Sequence, residues 1–147
     1  MYAVIVENDE SQWRDQEGAR YHFPKRYSHL LEEGTFVLYY KGRMRDSKYA
    51  GRRLAAQPHY FGVALIGKVQ ADTSSSKGDL FADIVDFQRF SYPVLARDKL
   101  GHYREPIPAN RQSNYWRDGV RQIDEETYKK ILAETQIQHS SSRAPSS

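Results

Sequence analysis

The sequence contains no cysteine, which excludes disulfide scaffolds, thiolate-bound zinc and thiol nucleophiles together. Long hydrophobic runs are missing as well: stretches such as residues 61–66 (FGVALI) fall far short of the roughly 20 apolar residues that cross a bilayer. The opening MYAVIVENDE has neither a basic leader region nor a small-residue cleavage site, so a soluble, cytoplasmic protein without membrane contact is expected. There is no HExxH, no GxSxG and no phosphate-cradling glycine loop, and the histidines stand singly at His22, His29, His59, His102 and His139. No catalytic residue, metal or cofactor is expected from such a set. No repeat with a period of roughly 20 to 50 residues is visible, which argues against a solenoid or propeller.

What is present suits one domain. The 147 residues are 39% hydrophobic and 13% aromatic, enough for a single core. Lys and Arg number 22 against 19 acids, a formal charge of +3, which permits a polyanionic partner without requiring one. Tyrosine supplies 11 of the aromatic residues against 6 Phe and 2 Trp, and its ring combines a stacking face with a polar tip. That composition favours a binding surface over a purely apolar interior.

Local pattern predicts strands over residues 2–6 (YAVIV), 35–40 (TFVLYY), 60–69 (YFGVALIGKV) and 80–90, the second last with Gly62 and Gly67 at bulges or close approaches. Residues 8–18 and 71–79 read as polar loops. A short helix is predicted over residues 25–33, with Pro24 at its start, Tyr27, Leu30 and Leu31 on one face and Gly34 past its end. Pro93, Gly101, Pro106 and Pro108 then interrupt the chain. Asp124 is expected to cap a helix through Glu134 that buries Tyr128, Ile131 and Leu132. The domain is expected to fill residues 1–136, with 137–147 a flexible Ser-rich tail or linker. Strands scattered among short helices, without βαβ alternation, imply an α+β fold on a strongly curved sheet or small barrel.

Four segments combine rings and charge. Tyr21, His22 and Phe23 precede Pro24 where a loop enters the first helix; their rings can stack on a flat ligand, or Phe23 can pack inside while Tyr21 and His22 fix the loop. Tyr39 and Tyr40 end a strand, where alternation sends one to the core and the other to a surface or pocket. The segment NYWRDGVR offers Tyr115 and Trp116 as stacking planes, Asp118 as an acceptor and Arg117 and Arg121 as planar donors, which suits a base edge plus a phosphate; a structural Trp116 under an Arg117–Asp118 surface fits equally. Finally, Lys41, Arg43, Arg45, Lys48, Arg52 and Arg53 face the single acid Asp46 over residues 41–53, a local excess above that of the whole chain. Such a loop is either simply solvated or drawn to phosphates, and the Tyr49 and Arg52 alternation within it suits nucleic acid.

Taken in order, YHFPKRY, EEGTFVLYYKGR, YFGVALIGKVQAD and NYWRDGVRQI resemble a PUA-superfamily module, similar to the EVE-like domains found in front of HNH-type endonucleases in prokaryotes. The likeness spans Tyr21 to Leu132 and is carried by the glycine-led strand ending in paired tyrosines, the glycine-bearing strand 60–69 and YWRDGVR. It implies a barrel-like sheet flanked by short helices and a pocket that takes a flipped, methylated or hydroxymethylated cytosine between aromatic walls. Unstacking a base costs a few kcal/mol, which ring stacking and phosphate neutralisation together offset. By the same resemblance Tyr21, His22 and Phe23 fall at the pocket mouth, Tyr39 and Tyr40 at its strand end and Tyr115 and Trp116 at its late aromatic pair, with Asp118 accepting from the cytosine amino group. Lys41, Arg43, Arg45, Lys48, Arg52, Arg53, Arg117 and Arg121 would grip the DNA backbone.

Such a module reads modified double-stranded DNA and does not cut it. No nuclease motif occurs in this chain, so a nuclease would be attached in a longer parent or be a separate partner. An RNA-reading module and a protein or small-ligand interaction domain are the alternatives.

Overall fold

Short β-branched and aromatic runs build most of the molecule. The computed structural model describes residues 1–9, 19–112 and 114–143. Its strands are β1 (Tyr2–Val6), β2 (Arg20–Phe23), β3 (Phe36–Lys41), β4 (His59–Ala71), β5 (Leu80–Leu95) and β6 (Val120–Ile123), and one α-helix, α1 (Glu125–Arg143), follows. They form a six-stranded sheet in the order β2-β5-β4-β3-β1-β6. β1 and β3 run parallel, with Val6 opposite Tyr40, and every other neighbour is antiparallel. The fold is therefore mixed α+β on a curled half-barrel sheet. No helix among the described residues is long and apolar enough to cross a membrane.

Tyrosine hydroxyls draw the two sheet edges together. Tyr21 on β2 donates to Val6 O at 3.3 Å and Gly119 O at 3.4 Å, and Gly119 N–H, just before β6, donates to the Tyr27 hydroxyl at 3.1 Å. Of these groups Gly119 N–H gains its acceptor from Tyr27, while Gly119 O also accepts from Val6 N–H at 2.9 Å.

The curl produces two cores. Inside it, Ala3, Ile5, Phe23, Val37, Tyr39, Phe61 and Ile66 pack with Tyr27 and Leu31; outside it, Val4, Leu38, Tyr40, Tyr60 and Phe90 pack under Tyr128 and Ile131 of α1. β1 is consequently buried on both faces, as a parallel strand between two layers should be. Asp124 caps α1, its Oδ1 accepting from Thr127 N–H at 2.8 Å. The helix continues to Arg143, so the boundary expected at residue 137 falls within it, and residues 144–147 of the expected tail lie outside the described residues. Of the expected loop 8–18, residues 10–18 also lie outside them.

Three local expectations need correction. The segment 25–33 is no α-helix: a 3-10 turn at Lys25–Tyr27 runs on as bonds from Tyr27, Ser28 and Leu30 N–H to carbonyls three residues back. About two turns are too few to sustain an isolated helix, and the Tyr27 hydroxyl is held by Gly119 N–H across the curl of the sheet. Residues 20–23, read as a loop entering that helix, form an edge strand on β5. β5 also passes through Pro93, because Gly62 pairs with Arg89 but Tyr60 with Val94, leaving residues 90–93 in a bulge. A second irregularity at Asp86, with φ of 54°, puts Ile84 and Phe87 against the same core although they lie three apart. The expected close approach at Gly62 is present: a Cβ there would stand 3.0 Å from Gln88 O and from the Phe87 ring.

Replacing Tyr27 with Phe leaves the Gly119 N–H without its acceptor. The expected loss is about 1–2 kcal/mol of unfolding free energy by urea denaturation, with a smaller loss for Tyr21→Phe, whose bonds are longer.

Candidate functional site

The chain segment between β5 and β6 delivers Glu105 into the outer core, where it is only 1% exposed. Its carboxylate accepts four bonds: Arg121 Nε at 2.9 Å and Nη2 at 2.8 Å, Tyr60 Oη at 2.5 Å and Tyr115 Oη at 2.7 Å. Burial together with this carboxylate pushes the Tyr60 and Tyr115 hydroxyls well up, so both remain donors. Burial opposes the Arg121 charge, but Glu105 outweighs it and raises the guanidinium above its ordinary value. A buried carboxylate with this many donors has its desolvation offset as fully as protein groups allow.

Arg121 also backs a set of rings. Its Cζ lies 4.5 Å from the Tyr40 ring centre, 4.7 Å from that of Trp116 and 5.4 Å from that of Tyr115. Nη1 has no hydrogen-bond partner among the described residues, so these π-faces are the main compensation available to it. Tyr40 and Trp116 stack at 5.8 Å with 25° between planes, and Trp116 meets Tyr103 at 4.8 Å. Burial pushes the Tyr40 hydroxyl up to about 12.

That aromatic wall lines a cavity of about 460 Å³. Val6, Glu7, Asn8 and Asp9 reach it from the end of β1, and Tyr40, Gly42, Arg43 and Arg45 from the end of β3. Tyr49, Arg53, Pro58, Tyr103 and Trp116 complete the lining. Arg53 is deeply placed, its side chain 2% exposed, donating to Asp9 at 2.5 Å, to Ala55 O at 2.9 Å and to Gly42 O. Lys41 is buried between Asp9 at 3.1 Å and Glu7 at 3.5 Å. Burial pushes the Asp9 carboxyl up, but bonds and charge from Arg53 and Lys41 more than reverse it and hold it below the usual carboxylate range. Arg43 and Arg45, by contrast, are exposed and form no ion pair among the described residues.

Of the aromatic residues placed at the pocket from sequence, Tyr40 and Trp116 therefore border the cavity and the rest do not; Tyr49, singled out with the basic loop, also lines it. Tyr39 points into the inner core, 5.0 Å edge-on from Phe87; Phe23 is core; Tyr21 bonds across the curl to Val6 and Gly119. His22 is clasped by Asp72 at 3.0 Å and Asp79 at 3.7 Å, at the loop joining β4 to β5. Tyr115 stands behind the wall, edge-on to Trp116, and Asp118 is paired with Arg111. Among the expected backbone-gripping cations, Lys41, Arg53 and Arg121 are interior ion-pair partners instead. Arg43, Arg45, Lys48, Arg52 and Arg117 are exposed, Lys48 beside Asp46 at 3.9 Å.

Sequence reasoning missed Tyr103, Glu105, Asn8 and Asp9. Tyr103 and Glu105 lie among the glycine and prolines read as chain breakers, and nothing in their spacing marks them. Among the described residues no group of His, Asp and Glu could hold a metal ion. No family model and no curated protein matches the chain, so the chemistry of the cleft is read from its own residues.

Glu105→Gln strands a buried guanidinium. It is expected to cost about 3–5 kcal/mol in urea unfolding, with much of the loss recovered in the double variant with Arg121→Met. Acid should act in two stages. His59 is buried with Nδ1 on Gln57 O at 2.7 Å, and burial first, then Arg53 and Lys41, lowers its pKa. Its folded value thus lies below its unfolded one, and stability held in full above about pH 6.5 declines as pH falls. Asp9, also lowered on folding, withdraws its share only below about pH 4. Urea midpoints recorded against pH should lose the first stage in His59→Gln and the second in Asp9→Asn.

Proposed function

We propose that this chain is a DNA-reading module of the PUA-like, EVE-like type, which takes a methylated or hydroxymethylated cytosine, flipped from the duplex, into the cleft. The observation that carries this reading is the cavity itself: about 460 Å³, walled by Tyr40, Trp116 and Tyr103 and edged by the exposed cations Arg43 and Arg45. A volume of that order accommodates a base with its sugar. The ring wall supplies stacking worth about 1–3 kcal/mol per base, and the two arginines lie where the attached phosphates would pass. Asn8 and Asp9 bring acceptors to the same wall, in place of Asp118, for the cytosine amino group. The module binds and does not catalyse; an attached or partner nuclease would use it to find modified foreign DNA.

Fluorescence anisotropy with a duplex carrying one 5-methylcytosine, against the unmodified duplex at two salt concentrations, tests the reading. Tighter binding of the modified duplex is expected. Trp116→Ala should weaken that binding about tenfold or more, and Arg43→Ala or Arg45→Ala should each lower the salt slope by about one. Equal affinity for both duplexes sinks the modified-base claim. Preference for RNA in competition makes the module an RNA reader, and salt-insensitive binding to neither nucleic acid leaves a protein or small-ligand domain.

A further inference from the structure

Beyond β5 the chain turns back on itself in a small hairpin whose root is fixed and whose tip is bare. Ala96 N–H donates to Pro58 O at 2.9 Å and Arg104 N–H to Ala96 O at 2.9 Å, while Arg97 and Tyr103 form an isolated antiparallel bridge. Arg104 ties the root down through Nε to Leu95 O at 2.8 Å and an ion pair with Glu134 at 3.5 Å. The tip is preorganised by Asp98, whose Oδ1 accepts from Leu100 N–H at 2.9 Å and His102 N–H at 3.0 Å. Gly101, at φ of +84°, completes the turn with its N–H on Asp98 O at 2.9 Å. Leu100 stands on this turn 80% exposed, far more than any other large apolar residue described.

A lone exposed leucine needs no explanation on a loose loop. Here it is held out by a turn in which three backbone N–H groups bond to one aspartate, Asp98, next to Lys99 and close in sequence to Arg97, both exposed. The same hairpin carries Tyr103, whose ring is part of the cleft wall and whose hydroxyl accepts from Arg97 at 2.7 Å. A rigid apolar tip flanked by cations and joined at its root to an aromatic cleft matches what a duplex offers once a base has left it: an unstacked gap between phosphates.

We infer that the hairpin of residues 96–104 is a wedge, with Leu100 entering the base stack beside the cleft and Arg97 and Lys99 meeting the adjoining phosphates. The inference rests on the base-flipping reading above and adds to it the device that holds the duplex open. Without such a filler, the vacated position stays unstacked and the extruded base competes to return.

The test uses the full chain and two fluorescein-labelled probes: a duplex with one 5-methylcytosine, and the free strand bearing the same base. The free strand has no gap to fill. Leu100→Ala is expected to weaken duplex binding about tenfold, leave free-strand binding within about twofold, and leave the urea midpoint unchanged. A 2-aminopurine placed next to the modified cytosine should brighten when wild-type protein binds the duplex and brighten much less with Leu100→Ala. Unchanged duplex affinity in Leu100→Ala overturns the wedge alone, as does an equal loss on both probes, which would make Leu100 a support for Tyr103. Wild-type protein that binds neither probe overturns the cleft reading and the wedge with it.

Discussion

The Glu105–Arg121 pair is the constraint on which the cleft depends. It joins the irregular segment before β6 to β6 itself, and through Tyr60 and Tyr115 it reaches β4 and the 3-10 turn at Tyr115–Arg117. A buried ion pair is weak evidence for stability, since apolar residues of equal volume often do as well. Its value here is positional. An apolar replacement would still fill the space, but it would not orient Tyr60 and Tyr115 by their hydroxyls or set a planar cation behind Tyr40 and Trp116 at 4.5 and 4.7 Å. The rings that face the cavity are thus fixed from behind by a group that never touches the cavity.

Topology then decides where the cavity opens. β1 and β3 are parallel neighbours, so their C-terminal ends emerge side by side, and Glu7 N–H still pairs with Tyr40 O at 2.9 Å beyond the last residue of β1. The two chains separate there, one into Asn8 and Asp9, the other into Gly42 to Arg45. Divergence of adjacent strand ends leaves a crevice for the same geometric reason that parallel sheets bind ligands at their carboxyl edges. The bonds that Tyr21 and Tyr27 form with Val6 and Gly119 keep the half-barrel sheet curled, so the crevice is bounded rather than spread along a flat edge.

Much of the fold was legible in the residues. β1, β3, β4 and the start of α1 follow β-branched or capped patterns, and the curved α+β sheet follows from their order. The 3-10 turn at the start of 25–33 reads as a helix from sequence because Tyr27 and Leu31 have helical spacing, yet both are buried by the curl of the sheet, which the local pattern does not contain. β5 was legible as a strand, although its bulges at Asp86 and residues 90–93 break the two-residue period, so Phe81, Ile84, Phe87 and Phe90 alternate only in part. The site was legible only in part. Strand alternation separates Tyr39 from Tyr40 correctly, but both faces of this sheet are cores, and the cavity lies at the end of the outer one. The charge count over residues 41–53 overstates the exposed charge for a related reason, since Lys41 and Arg53 are neutralised by Glu7 and Asp9, acids remote in sequence, while Arg43, Arg45, Lys48 and Arg52 stay exposed.

That neutralisation shapes the electrostatics of the cleft. Had Lys41 and Arg53 been free, the cavity would carry positive charge along its depth, and an anion would be drawn inside with nothing to favour a ring. Paired with Glu7 and Asp9, they leave an interior of balanced charge beside an aromatic wall, while Arg43 and Arg45 hold their charge at the solvent edge. Screening over about 8 to 10 Å at ordinary salt means that the rim acts on groups close to it and little beyond. A ligand matched to this gradient is planar and uncharged at one end and anionic at the other. A nucleotide within a strand has that polarity, with the base and the phosphate separated by a sugar, whereas a free anion or an uncharged aromatic would use only half of the site.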